Sequence, residues 1–161
     1  MSDRTKYRAL LVLVIVGLVV SGLTAFPLLT ELNLLAGILT GSGGNLDPAA
    51  HTGLVHWVLK VREGLEVTYG AYPFIAYGTD WLAFGHIIIA LFFVLPYREP
   101  ARYRGVLHVG VVACVLVAPL ALVCGPLRGI PFYWQLIDIS FGAVCIIPLL
   151  LAIRLSKKID P

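Results

Sequence analysis

Charge is what this chain has least of. Only 13% of its 161 residues are Asp, Glu, Lys or Arg, against 59% hydrophobic residues, and the mean hydropathy is +0.91. A soluble domain of this length needs far more polar surface, so the composition excludes one and points to an integral membrane protein. Cysteine is also scarce. The three present, Cys114, Cys124 and Cys145, show no C-x-x-C spacing, which removes the usual signature of a zinc ribbon or a dithiol redox centre. All three fall in apolar runs, where cysteine is expected to act as a small packing residue, with Cys124 nearest an outer helix end. H-E-x-x-H, G-x-S-x-G and the P-loop pattern are missing too. A zinc hydrolase helix, a serine nucleophile elbow and a phosphate cradle are therefore unsupported, and the balance favours a non-catalytic chain.

What the chain does have is four long apolar runs, at about residues 9–29, 80–96, 105–127 and 134–155. Each approaches the roughly 20 residues with which a helix crosses about 30 Å of hydrocarbon. The fold class expected is all-α, a four-helix transmembrane bundle forming one integral membrane domain over residues 1–161. The second run is the shortest and is expected to borrow apolar length from Phe74–Tyr77 or to tilt less than the others. The first follows Arg4, Lys6 and Arg8 as a signal peptide would, with Gly22–Ala25 as the place a cleaved form would end, but its apolar core is too long, and it reads as a retained helix.

Basic residues set the topology. Nine of the twelve Lys and Arg lie before the first run, between the second and third, or after the fourth, whereas Lys60, Arg62 and Arg128 lie on the other side. The positive-inside rule then places both chain ends in the cytoplasm. The net charge of +3 speaks of topology and gives no reason to expect nucleic acid.

The segment between the first two spans, residues 30–79, is too long to be a plain connection. After the flexible GSGGN, Leu54, Val58, Val61 and Leu65 recur at helical spacing with Lys60, Arg62, Glu63 and Glu66 elsewhere on the wheel. An amphipathic helix on the outer membrane surface or across the bundle mouth is expected there, with LTELNLLAGIL forming another interfacial helix or extending the first span. Two ridges of small residues, Gly17–Ser21–Ala25 and Gly110–Cys114–Ala118, have the spacing that lets helices approach closely within a bundle. Pro119 and Pro148 are expected to kink or loosen their spans.

Titratable groups inside hydrocarbon are site candidates, because burying an Asp there costs about 2.5–3.5 kcal/mol even on the lenient scale. The candidate cluster is Asp80, His86, Arg128, Tyr133, Trp134 and Asp138, all near the outer end. At 1.5 Å per residue, His86 lies about 9 Å below Asp80 and Asp138 about 7 Å below Tyr133, so they can share a depth. In the structural reading Asp80 caps its helix, Arg128 neutralises Asp138, His86 bonds that carboxylate, and Trp81 and Trp134 join the interfacial aromatic belt. In the alternative, the pocket near His86 holds haem b, a quinone or a lipid. A haem or metal there would need His51 or His56 from the loop as second ligand, since His108 enters from the opposite side.

VVSGLTAFPL, YPFIAYGTDWLAFGHI and GPLRGIPFYWQLID resemble segments of a family of small bacterial four-span integral membrane proteins to which no activity is assigned. The resemblance implies the topology and a bacterial inner membrane, and brings no catalytic residue or cofactor. The function expected is that of an accessory or stabilising subunit, with a membrane-protein partner or a second copy of the chain beside it in the lipid bilayer.

Overall fold

The computed structural model describes residues 2–41 and 43–159. Among them are six α-helices and no strand: α1 (Asp3–Ala25), α2 (Leu28–Thr40), α3 (Gly53–Ala71), α4 (Ala76–Arg98), α5 (Arg104–Leu127) and α6 (Phe132–Ile159). Short 3-10 turns at Pro48–Ala50 and Pro73–Ile75 precede α3 and α4. Four segments are long and apolar enough to span a membrane, namely α1, Pro73–Arg98, α5 and α6. The second span does lengthen backwards, through Pro73–Ile75 into α4. LTELNLLAGIL forms a helix of its own, α2, because Pro27 cannot continue α1.

The chain divides into two compact units, one built from the chain up to Leu18 together with everything from Ile88 onward, the other from Val19–Ile87. Helices α1 and α4 each contribute to both.

The first unit is organised by an antiparallel seam between α5 and α6. Arg104 with Ser156, Gly110 with Leu149, Cys114 with Cys145 and Gly125 with Gln135 are successive rungs of one register. On α6 the seam positions Gln135, Asp138, Gly142, Cys145, Leu149, Ala152 and Ser156 advance by alternating steps of three and four, and each is buried or partly buried. That 3.5-residue period is the one that wraps two helices left-handedly around each other. Small residues set the approach: a Cβ added to Gly142 would lie 2.5 Å from the Cys114 carbonyl oxygen, and one added to Gly110 2.8 Å from Phe93 Cζ. The Gly110–Cys114–Ala118 ridge therefore packs within the unit, as its spacing predicts. Tyr7, Leu11 and Val14 of α1 and Phe93 of α4 complete the core with Leu107, Leu149, Ala152 and Ile153. Helices α5 and α6 run unbroken through Pro119 and Pro148.

The turn joining α5 to α6 can be accounted for bond by bond. Gly129 adopts φ +67°, donates to Pro126 O at 3.1 Å, and the next amide, Ile130, donates to Gly125 O at 2.9 Å. This is the Schellman arrangement, in which a left-handed residue lets two amides satisfy the last carbonyls of a helix. Pro131 then opens α6 by accepting from the amides of Trp134 and Gln135.

The second unit contains the end of α1, α2, α3 and the start of α4. Here the Gly17–Ser21–Ala25 ridge does not set the packing. Gly17 and Ser21 are exposed, and a Cβ at Gly17 meets nothing within 4 Å. The close contact falls on Gly22, where an added Cβ would lie 2.8 Å from the Ala83 carbonyl oxygen and 3.2 Å from His86 Cβ. The reason is the stripe that α1 turns inward: Tyr7, Leu11, Val14, Leu18 and Gly22 recur at steps of three and four, and the expected ridge lies beside it.

Helix α3 forms where the apolar spacing predicts, but its inward face is rotated. Val58 and Leu59 are buried, whereas Leu54 is exposed, and Arg62 turns inward with a side chain only 15% exposed. Asn33 of α2 makes this possible by accepting from Arg62 Nε at 2.6 Å, while Glu66 pairs with its Nη2 at 3.0 Å.

Candidate functional site

In the second unit, each sequence candidate is held by its own neighbourhood. Asp80 does not cap a helix, because the turn at Pro73–Ile75 moves the start of α4 back to Ala76 and leaves Asp80 four residues inside. His86, partly buried on the same helix, donates from Nδ1 to the Leu82 carbonyl oxygen at 2.8 Å. This bond to the preceding turn satisfies one ring nitrogen with no carboxylate involved, and fixes Nε2 as the acceptor in a neutral ring. Tyr69 of α3 and Thr79 of α4 share a hydroxyl pair at 2.9 Å.

The loop histidines are staples. Between α2 and α3, Asn45 Oδ1 accepts from the Asp47 amide and Asp47 Oδ1 from the Ala49 amide, both at 2.9 Å, so Asp47 caps the Pro48–Ala50 turn. His51 donates from Nε2 to Asn45 O and His56 from Nδ1 to Pro48 O, each at 2.8 Å. Each histidine thus closes the loop on itself. An open groove of about 620 Å³ lies between α2, the glycine-rich turn and Arg62. The guanidinium at its edge is already shared between Asn33 and Glu66, so it offers no unbalanced charge.

At the start of α4 the exposed aromatic residues stack edge-on. Tyr77 and Trp81 have ring centroids 6.0 Å apart, Trp81 and Phe84 5.9 Å. Amphipathic rings of this kind collect at the headgroup level of a bilayer, the place expected for Trp81.

The first unit holds Arg128, Tyr133, Trp134 and Asp138. Arg128 does not neutralise Asp138: among the described residues the ion pairs are Arg62–Glu66 and Arg102–Glu99. Arg128 is the C-cap of α5, and its backbone amide donates to Cys124 O at 3.1 Å while the residue itself is exposed. Asp138 lies partly buried on the seam face of α6, in line with Gly142 and Cys145. Tyr133 is 39% exposed and Trp134 partly buried.

Three polar anchors of this unit are not evident from the sequence pattern. Gln135, 3% exposed, donates from Nε2 to Ile130 O at 2.8 Å and packs on Gly125, where an added Cβ would lie 2.6 Å from its Cδ. Tyr7 is fully buried, and its hydroxyl donates to Pro96 O at 2.7 Å. Pro96 lies in the last turn of α4, so its carbonyl has no partner further along the helix, and Tyr7 supplies one. Arg104 reaches Ser156 twice, from Nε to Oγ at 3.0 Å and from Nη2 to the carbonyl oxygen at 3.1 Å. The signal available for Gln135 was its place opposite Gly125 in an antiparallel hairpin. Nothing in the spacing marks Tyr7.

Cys114 and Cys145 are free thiols and hydrogen-bonded neighbours on the seam, and Cys124 is free and exposed. Among the described residues, no three His, Cys, Asp or Glu side chains converge as a metal site.

Long apolar helices and a small-residue seam define a multi-pass helical membrane protein. Compared with known protein families, characterised proteins and solved structures, the chain matches none.

Proposed function

We propose that this chain is a non-catalytic subunit of a larger assembly in the bacterial inner membrane, with both chain ends cytoplasmic, and that it stabilises its partners by lateral helix contact. The observation that carries the reading is how the histidines are used. His51, His56, His86 and His108 each donate a ring N–H to a backbone carbonyl within eight residues of sequence. Groups that would be the first choice for ligation or proton transfer serve as local staples instead. The exposed small residues Gly17 and Ser21 on a spanning helix add a surface that another helix can approach closely. The positive-inside distribution of Lys and Arg supports the orientation.

The test is native electrophoresis of tagged protein in mild detergent, combined with deletion of the gene. The expected result is co-migration with a larger membrane complex in fixed stoichiometry, and loss of that complex on deletion. Migration as a lone chain, with the membrane complexes unchanged by deletion, would refute the proposal. A Soret band retained by washed protein would replace it with a haem-binding role for the region around His86.

A further inference from the structure

In the first unit, a groove of about 710 Å³ runs between the start of α1 and the end of α6. Its two walls repeat one pattern. On α1, Lys6, Leu10 and Leu13 follow one another at steps of four and three; on α6, Lys158, Arg154 and Leu151 do so in the reverse direction. Both walls therefore present cations at the end shared by the two chain ends and apolar side chains about 10 Å further into the span, at 1.5 Å per residue.

Charge decides what fits. Lys6, Arg154 and Lys158 are exposed, none is ion-paired with a described carboxylate, and among the described residues no Asp or Glu lines the groove. Three like charges that converge from residues about 150 positions apart in sequence repel one another unless an anion lies between them. A soluble anion would satisfy the cations and leave Leu10, Leu13 and Leu151 to the hydrocarbon. An apolar helix would cover the leucines and leave the cations uncompensated. One molecule class meets both demands at the matching depths.

We propose that this groove is a binding site for an anionic phospholipid of the leaflet nearest the two chain ends. Its phosphate lies among Lys6, Arg154 and Lys158, and an acyl chain lies along Leu10, Leu13 and Leu151. Arg154, one turn deeper than Lys158, reaches back toward the headgroup as long basic side chains do near the ends of spans. The site is independent of the accessory-subunit reading.

The test uses full-length, delipidated protein in non-ionic detergent, offered an equimolar mixture of dioleoyl phosphatidylglycerol and dioleoyl phosphatidylcholine and read by native mass spectrometry. The wild type is expected to retain phosphatidylglycerol preferentially. Lys6→Gln, Arg154→Gln and Lys158→Gln should each lower that preference about fivefold, the effect of one basic residue at an anionic surface. A charge-matched control, Arg4→Gln with Arg98→Gln and Lys157→Gln, removes three cations that do not line the groove. It should change the preference by no more than about twofold, as exposed charges away from a site do. Equal losses in this control and in the matching triple variant of the groove, Lys6→Gln with Arg154→Gln and Lys158→Gln, would mean that net charge alone attracts the lipid, and the proposal would fail. So would a wild type that takes both lipids equally. All six residues are exposed, so folding is not at stake.

Discussion

The α5–α6 seam of the first unit and the α2–α3 region of the second hold their chains together by opposite means. Apart from its Arg104–Ser156 and Cys114–Cys145 rungs, the seam is close approach: Gly110, Gly125 and Gly142 bring the helices so near that an added methyl would strike a neighbour. The α2–α3 region is nearly all hydrogen bonding, through Asn33–Arg62–Glu66, Asn45, Asp47, His51 and His56. Lipid offers apolar helices no hydrophobic gain on meeting, so packing must supply the attraction. Water next to a polar segment does allow burial to contribute, but leaves backbone groups that side chains must satisfy. The end of α1 shows that the rule follows the environment and not the unit. Where the second unit contains spanning helix, at Gly22 against Ala83, it too relies on a missing side chain.

The largest effect is expected on the seam. Gly142→Leu places a side chain where backbone, the Cys114 carbonyl, already stands 2.5 Å from the first added carbon. Backbone cannot rotate away as a side chain can, so the two helices must part. We expect little folded protein in detergent extracts by size-exclusion chromatography, and a loss of about 1–3 kcal/mol even for Gly142→Ala, the range of small-to-large core changes. Gly17→Leu, with nothing within 4 Å of the new carbon, is the matched control and should yield as much folded chain as the wild type. Equal behaviour of the Gly17 and Gly142 variants would remove the seam from the account.

Much of this architecture was legible before any coordinates. Four spans, the α3 helix and the Gly110 ridge follow from run length and spacing, because a bilayer fixes helix length and small residues mark close approach, whereas spacing left LTELNLLAGIL open between a helix of its own and an extension of the first span. What spacing could not supply was the rotation of a helix about its axis. On α1 an apolar residue faces lipid as readily as core, so the Gly17–Ser21–Ala25 ridge and the Gly22 stripe carry equal weight in sequence. On α3 the inward turn of Arg62 depends on Asn33, 29 residues earlier. For His86 the sequence reading considered only side-chain and ligand partners, and it missed the bond from Nδ1 to the Leu82 carbonyl one turn back, an acceptor every helix contains and no sequence pattern displays.

The next effect is smaller and separates the two stripes of α1. Gly22→Leu must displace the Ala83 carbonyl oxygen, 2.8 Å from the added carbon, and is expected to lower stability by about 1–3 kcal/mol. Ser21→Leu, on the exposed neighbouring stripe, should stay within about 0.5 kcal/mol. Thermal unfolding of both variants in one detergent reads the difference directly. The reverse order would restore the Gly17–Ser21–Ala25 ridge as the packing face.

The smallest effect is expected in the loop, and its kind matters more than its size. His56→Ala removes the bond to Pro48 O and His51→Ala the bond to Asn45 O, while Asp47→Ala removes the cap on the intervening turn. Each such bond has a net worth of about 0.5–1.5 kcal/mol. Both ends of every bond lie within residues 45–56, so its loss lowers only the cost of opening that segment and leaves the seam untouched. Amide hydrogen exchange over residues 45–56 should therefore rise several-fold in each variant, by up to about tenfold for a full 1.4 kcal/mol, while the midpoint of thermal unfolding barely moves. A midpoint shift as large as that of Gly22→Leu would show that the loop supports the whole unit. Unchanged exchange would show that its histidines staple nothing, and either result would erase the contrast between a region closed by packing and one closed by hydrogen bonds.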